Sequence, residues 1–136
     1  MQNVNVVLDT NIWISIFLNG NYDFIELLIF DYNVTLCRSN ELTKELSSVL
    51  KRDKIKKYLG LDITKYIAFY EKYTLLVLAE PIFTDCKDAK DNYLFDLARQ
   101  SEAKYLVSGD KIVLKTEVNF PLEIISFNNF RKIYKT

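Results

Sequence analysis

Four carboxylates stand where apolar patterns stop or turn. Asp9 closes the run Val4-Asn5-Val6-Val7-Leu8, and Asp110 closes Ala103-Lys104-Tyr105-Leu106-Val107-Ser108-Gly109. Asp91 opens an amphipathic helical pattern, and Glu45 lies beside an apolar helix stripe. Four acids gathered at one mouth would repel each other unless a cation sat among them. The chain has no histidine, which removes the Ser-His-Asp and Cys-His routes to an activated nucleophile. Cys37 and Cys86 lie far apart and form no Cys-x-x-Cys pair, so zinc sites built on sulfur and imidazole are excluded. What remains is oxygen chemistry. Hard divalent cations such as Mg²⁺ or Mn²⁺ take carboxylate ligands, and two such ions roughly 3.5 to 4 Å apart can activate water and stabilise the leaving oxygen of a phosphodiester. Metal-dependent phosphoryl transfer is the chemistry this residue set suits.

The elements that must position these acids read as alternating strands and helices. Residues 4–8 are β-branched and almost continuously apolar, as in a strand buried on both faces. Asp9-Thr10-Asn11 are helix-capping types, and Ile12 to Phe17 continue as a helix. After Gly20-Asn21 the pattern predicts a short helix over 22–30, a second strand over 34–37, and a cap at Ser39-Asn40. From Glu41 to about Arg52, Leu42, Leu46, Val49 and Leu50 form a helical stripe. Glu45 sits at its edge, while Glu41 points further toward solvent. Gly60 separates this helix from another predicted over 62–76, which carries Ile63, Ile67, Tyr70 and Leu75. Leu76 to Ala79 is too short to assign, and Pro81 ends it. A helix is expected over 89–100 with Asp91, Leu94, Phe95 and Ala98 at i, i+3, i+4, i+7; Asp96 falls on the opposite side, toward solvent. Strands over 104–107 and 122–126 and a terminal helix over 128–134 complete the chain. The alternation argues for a parallel sheet with helices on both faces, in which sites form beyond the carboxyl ends of the strands. Asp9 and Asp110 both stand at that end.

With 136 residues the chain fits one domain, 1–136, and the hydrophobic fraction of 49% argues against extended disorder. Lys plus Arg balance Asp plus Glu at 18 each, so no global basic field advertises nucleic acid, and any such binding must be local. The local candidate is Lys51-Arg52-Asp53-Lys54-Ile55-Lys56-Lys57, which also reads as a solvated helix end. No apolar stretch approaches the roughly 18 residues of a membrane span, and the expected setting is a reducing cytoplasm with both thiols free.

Each acid also has a purely structural reading. Asp9 could cap the following helix, Asp110 could be a turn residue, and Asp88 with Asp91 resembles a capping box. Glu45 could border a solvated helix face. Such accidents, taken together, would not place four acids at one edge of one sheet.

The stretches Val6-Val7-Leu8-Asp9-Thr10-Asn11, Glu45 in its Glu-Leu-x-x-Val-Leu run, Cys86 to Ala98, and Leu106-Val107-Ser108-Gly109-Asp110-Lys111 together resemble the PIN domain. The likeness is greatest to toxins of toxin–antitoxin systems related to the VapC-type ribonucleases. It spans nearly the whole chain. The resemblance implies a three-layer α/β/α sandwich with a central parallel sheet, and Mg²⁺- or Mn²⁺-dependent cleavage of single-stranded RNA. Asp9, Glu45, Asp91 and Asp110 match the acidic quartet. By the resemblance, Asp9, Asp91 and Asp110 would bind metal directly, and Glu45 would hold metal-bound water or a second ion. Asn11 would orient Asp9, and Ser108 would supply a supporting hydrogen bond. Asp88 matches a further acid of the subgroup, and cap and ligand both remain open for it. A small antitoxin and a homodimer are implied as well. Two other readings compete. A receiver-like phosphoacceptor needs adjacent acids after the first strand, where this chain offers only Asp9. A catalytically silent module would use the groove and the Lys51 to Lys57 run to hold RNA or a protein.

Overall fold

In the computed structural model, which describes residues 2–135, the first apolar run forms strand β1 (Val4–Leu8). Asp9 then caps helix α1 (Thr10–Asn19) by accepting from the Thr10 N–H. Gly20 ends α1 in the left-handed region at φ 66°, where its N–H reaches Ile16 O, a conformation a side chain would disfavour. Helix α2 (Tyr22–Glu26) runs into a π turn over Leu27–Asp31, so the helix predicted over 22–30 is two unlike pieces. Strand β2 (Val34–Arg38) follows. Helix α3 (Asn40–Leu50) is capped by Ser39 Oγ on Leu42 N at 3.2 Å and buries Leu42, Leu46 and Leu50, the stripe read from the sequence.

Part of the basic run is itself helical, as α4 (Asp53–Lys56), before α5 (Ile63–Lys72). The predicted helix over 62–76 is too long. Tyr73 leaves helical geometry, and Thr74–Leu76 form strand β3, paired in parallel with β2 through Leu36 and Thr74. The Arg38 guanidinium fixes the switch by donating to Thr74 O, Thr74 Oγ1 and Glu71 O. Leu75, placed on the buried helical stripe by periodicity, is 58% exposed on this edge strand.

The helix expected over 89–100 begins as a 3₁₀ turn (Ala89–Asp91) and becomes α6 only at Asn92–Gln100. Asp96, expected in solvent, is buried and accepts from the N–H groups of Ile82 (2.9 Å) and Phe83 (2.7 Å). The segment after β3 folds back over the face of α6 that the helical wheel assigned to water, and its unpaired amides need an acceptor there. Strand β4 (Tyr105–Val107), an unanticipated short helix α7 (Lys111–Lys115), strand β5 (Glu123–Ile125) and helix α8 (Phe127–Ile133) complete the described chain.

The sheet has five parallel strands in the order β3-β2-β1-β4-β5. It forms the central layer of the three-layer α/β/α sandwich expected from the sequence, with one strand more than the four read there. Trp13, Phe17, Tyr66 and Tyr70 pack between α1 and α5, and Phe24, Tyr105, Phe127 and Phe130 pack around α8. The chain builds outward from β1 to β3 on one side and from β4 to β5 on the other, so strand order reverses between β1 and β4. Asp9 N donates to Val107 O at 2.9 Å across that junction. Ligands in open α/β sheets bind at such a crevice. Both cysteines are buried and free, and among the described residues no helix is long and apolar enough to cross a membrane.

Candidate active site

At the β1/β4 junction a cleft of about 310 Å³ is lined by Asp9, Glu45, Asp91 and Asp110, together with Thr10, Asn11, Arg52, Lys54, Lys90 and Tyr93. The four acids come from four different segments: the end of β1, α3, the 3₁₀ turn before α6, and the loop after β4. Glu41 is exposed and does not line the cleft, in keeping with the wheel that separated it from Glu45.

Asp9 is the most constrained member. Its Oδ1 accepts from Thr10 N at 2.6 Å, and its Oδ2 accepts from Ser108 Oγ at 2.7 Å and Asn11 Nδ2 at 3.4 Å. The structural and functional readings of this residue are therefore compatible, one oxygen capping α1 and the other tied to Ser108 and Asn11. Ser108, fully buried, accepts in turn from Asp110 N at 3.0 Å, and Asn11 Oδ1 accepts from Gly109 N at 3.1 Å. One hydroxyl and one amide thus tie the β1 acid to the β4 loop. Asp110 Oδ1 caps α7 through Ile112 N at 2.8 Å.

Asp91 stands differently. Its side chain caps nothing, and its Oδ2 is buried without a hydrogen-bond partner. Asp88, read as a helix cap or a ligand, makes no side-chain cap either; its carboxylate lies 3.6 Å from Lys90 Nζ, outside the cleft lining, while its carbonyl accepts from Asp91 N. The capping-box reading of the Asp88/Asp91 pair is therefore not what the structure forms.

Mutual repulsion is legible in the ionisation of these groups. The Asp91 carboxyl is pushed up from 3.8 to about 6, first by burial and then by Asp9, Asp88 and Asp110, with Lys90 opposing. Asp9 is also raised, chiefly by burial and further by Asp110 and Glu45, against the hydrogen bonds from Ser108 and Thr10.

Sequence reasoning missed two uncharged members of the cleft. Thr10 Oγ1 and Tyr93 Oη, like Asp91 Oδ2, are buried polar atoms without a hydrogen-bond partner. The Thr10 hydroxyl lies near enough to favour the Tyr93 phenolate, but not in hydrogen-bond geometry. Burial and the charges of Asp9, Glu45 and Asp91 override it and raise the phenol's pKa, so Tyr93 stays neutral. Its spacing of two residues from Asp91 was the available signal, but the apolar stripe of α6 points to Leu94 and Phe95 instead. Arg52 and Lys54 stand on the rim because α4 follows α3 directly.

Among the described residues, no three acidic or thiol side chains already converge closely enough to hold a metal ion. Asp9 and Asp110 each give one oxygen to a helix N-terminus. The donor set still suits a hard cation. Every candidate ligand is an oxygen, and Asp91 Oδ2 lacks any other partner.

A model of the PIN domain matches residues 5–112 of the chain. An uncharacterised protein of Methanocaldococcus jannaschii is 30% identical over 112 residues, covering 79% of this chain and 72% of its own. Among solved structures, that of VapBC2 from Rickettsia felis bound to a DNA fragment from its promoter superposes with a TM-score of 0.60 at 16% identity, over 91% of this chain and 99% of the other.

Proposed function

The chain belongs to the PIN domain family, and from that premise we propose that it is a metal-dependent endoribonuclease cleaving single-stranded RNA. The observation that carries the reading is the cleft itself, where acids from four segments face one another and one of them, Asp91, keeps an unpaired buried oxygen. Asp9, Asp91 and Asp110 would hold Mg²⁺ or Mn²⁺, with Glu45 beside them. Such an ion, when bound, supplies an acidified water and stabilises developing charge on a phosphodiester.

The chain's own residues do the rest. Ser108 and Asn11 hold the Asp9 carboxylate in place through its Oδ2, and the Ser108 link to Asp110 N fixes the separation of two acids from different strands. Arg52, Lys54 and Lys90 on the rim offset the acids and attract a phosphate that the carboxylates alone would repel. A positioned substrate gains from having its reacting groups already oriented.

The biological role we infer is that of the toxin of a type II toxin–antitoxin pair, restrained by a small antitoxin and acting as a homodimer in the cytoplasm. It rests on the resemblance of the motifs and on the fold shared with the Rickettsia felis VapBC2 assembly. Purified protein should cleave single-stranded RNA in the presence of Mg²⁺ or Mn²⁺ and stop when EDTA is added. Asp9→Asn should be inert. A preparation without EDTA-sensitive cleavage, whose Asp9→Asn variant behaves identically, would leave only a silent binding module. Metal titration then completes the test, because such a module binds RNA equally with and without Mg²⁺.

A further inference from the structure

Beside the cleft lies a second recess, of about 580 Å³, that none of the proposed catalytic groups lines. Three lysines line it: Lys87 from the loop before the 3₁₀ turn, and Lys111 and Lys115 from α7. Among the described residues the only ion pair within 4.0 Å is Lys90 with Asp88, and none of these three ammonium groups sits over an aromatic ring. They are unpaired cations facing one hollow. Asp85 and Glu117 also line it; three lysines against two carboxylates leave a small net positive charge, and neither acid comes within ion-pairing distance of a lysine.

Its position relative to the cleft follows from the chain. Lys111 is bonded directly to Asp110, one of the acids at the mouth. Lys87 precedes Asp88, whose carboxylate pairs with Lys90 on the mouth's rim. The two hollows therefore flank the same pair of segments, and neighbouring residues are only about 3.8 Å apart at Cα. The walls are also tied together. Thr116 Oγ1 donates to Ile112 O at 2.8 Å and lies 3.6 Å from the buried Cys86 Sγ, while Cys86 N donates to Asn92 Oδ1 at 3.1 Å. The lysines thus project from a fixed frame.

We propose that this lysine-lined recess binds a backbone phosphate of the RNA strand that runs out of the acidic cleft, and so extends the substrate footprint beyond the scissile bond. The inference rests on the reading of the cleft as a phosphodiester-cleaving site. The four carboxylates of the mouth outnumber its three cations, Arg52, Lys54 and Lys90, and the unpaired ammonium groups of the recess, with Lys111 directly next to Asp110, add to the attraction those cations provide. A strand held at the cleft and at one further phosphate is also oriented.

The test measures binding of a short labelled single-stranded RNA to the intact chain by fluorescence anisotropy, in EDTA, between about 50 and 200 mM salt. Replacing Lys87, Lys111 and Lys115 together by Ala should lower the slope of log K against log salt by about 0.7, the contribution of the one phosphate no longer neutralised. Lys104→Ala, at the opposite end of β4, should leave the slope unchanged. The triple Lys→Arg variant should keep it, which separates charge from folding. Asp85→Asn with Glu117→Gln should tighten binding. An unchanged slope in the triple Ala variant overturns the proposal. So does an oligoglutamate peptide that competes as well as unlabelled RNA, since the surface would then serve a protein tail. Cleavage is assayed separately: a chain that cuts RNA but keeps its slope fails only this proposal, and one that loses its slope but never cuts fails only the catalytic reading.

Discussion

Replacing Asp91 by Asn should make the metal-free protein more stable while removing a residue the proposed chemistry needs. In the fold its carboxyl titrates near 6 instead of 3.8, so the folded state holds this proton more tightly than the unfolded chain does. The stability it contributes is therefore fully present below about pH 4 and is lost as pH rises through about 6. Above that, folding carries the cost of a half-buried, crowded carboxylate. The whole rise corresponds to about 3 kcal/mol, and solvent reaching the group reduces this to about 1 to 2 kcal/mol. For a chain of this length that is a gain of about 4 to 8 °C in melting temperature for Asp91→Asn at pH 7.5. Calorimetry in EDTA from pH 4 to 8 should show the two proteins melting together at the acid end and diverging through pH 4 to 6. Adding Mg²⁺ should then raise the wild-type melting temperature more than that of the variant, since a ligand stabilises only the form that binds it. A variant that melts below the wild type at pH 7.5, or a difference that does not change with pH, would refute the reasoning.

Three further outcomes are expected. Ser108→Ala removes a buried 2.7 Å bond to Asp9 and the acceptor of Asp110 N, and should cost about 1.5 to 3 kcal/mol in urea unfolding. Asp96→Ala strips the acceptor from two backbone amides; a loss of about 2 to 3 kcal/mol is expected, with faster hydrogen exchange at Ile82 and Phe83 than in the wild type. Tyr93→Phe deletes a buried hydroxyl that has no partner, so denaturant melts should show stability unchanged or improved by up to about 1 kcal/mol, whereas a clear loss would mean that the hydroxyl is bonded in solution.

Local chemistry made much of this protein legible from its residues alone. The continuous apolar run before Asp9, the capping types after it, the Leu42-Leu46-Leu50 stripe and the acid at the head of the α6 pattern each follow from side chains interacting with their own backbone or from simple periodicity. The strand-then-acid pattern at Asp9 and Asp110 likewise announced the edge of the sheet where the cleft lies. The failures share one cause. Thr74–Leu76 became a strand because β2 and Arg38 were there to pair with it, and Asp96 is buried because a distant loop brought two unpaired amides to it. The partners decide such positions, and they are remote in sequence. The same holds for Tyr93 and the divided allegiance of Asp9, whose two oxygens serve a local helix cap and a residue 99 positions away. A one-dimensional pattern tells which residues prefer to be buried or to cap; only the packed sheet, by bringing separate segments within a few ångströms, decides which acids feel each other's charge.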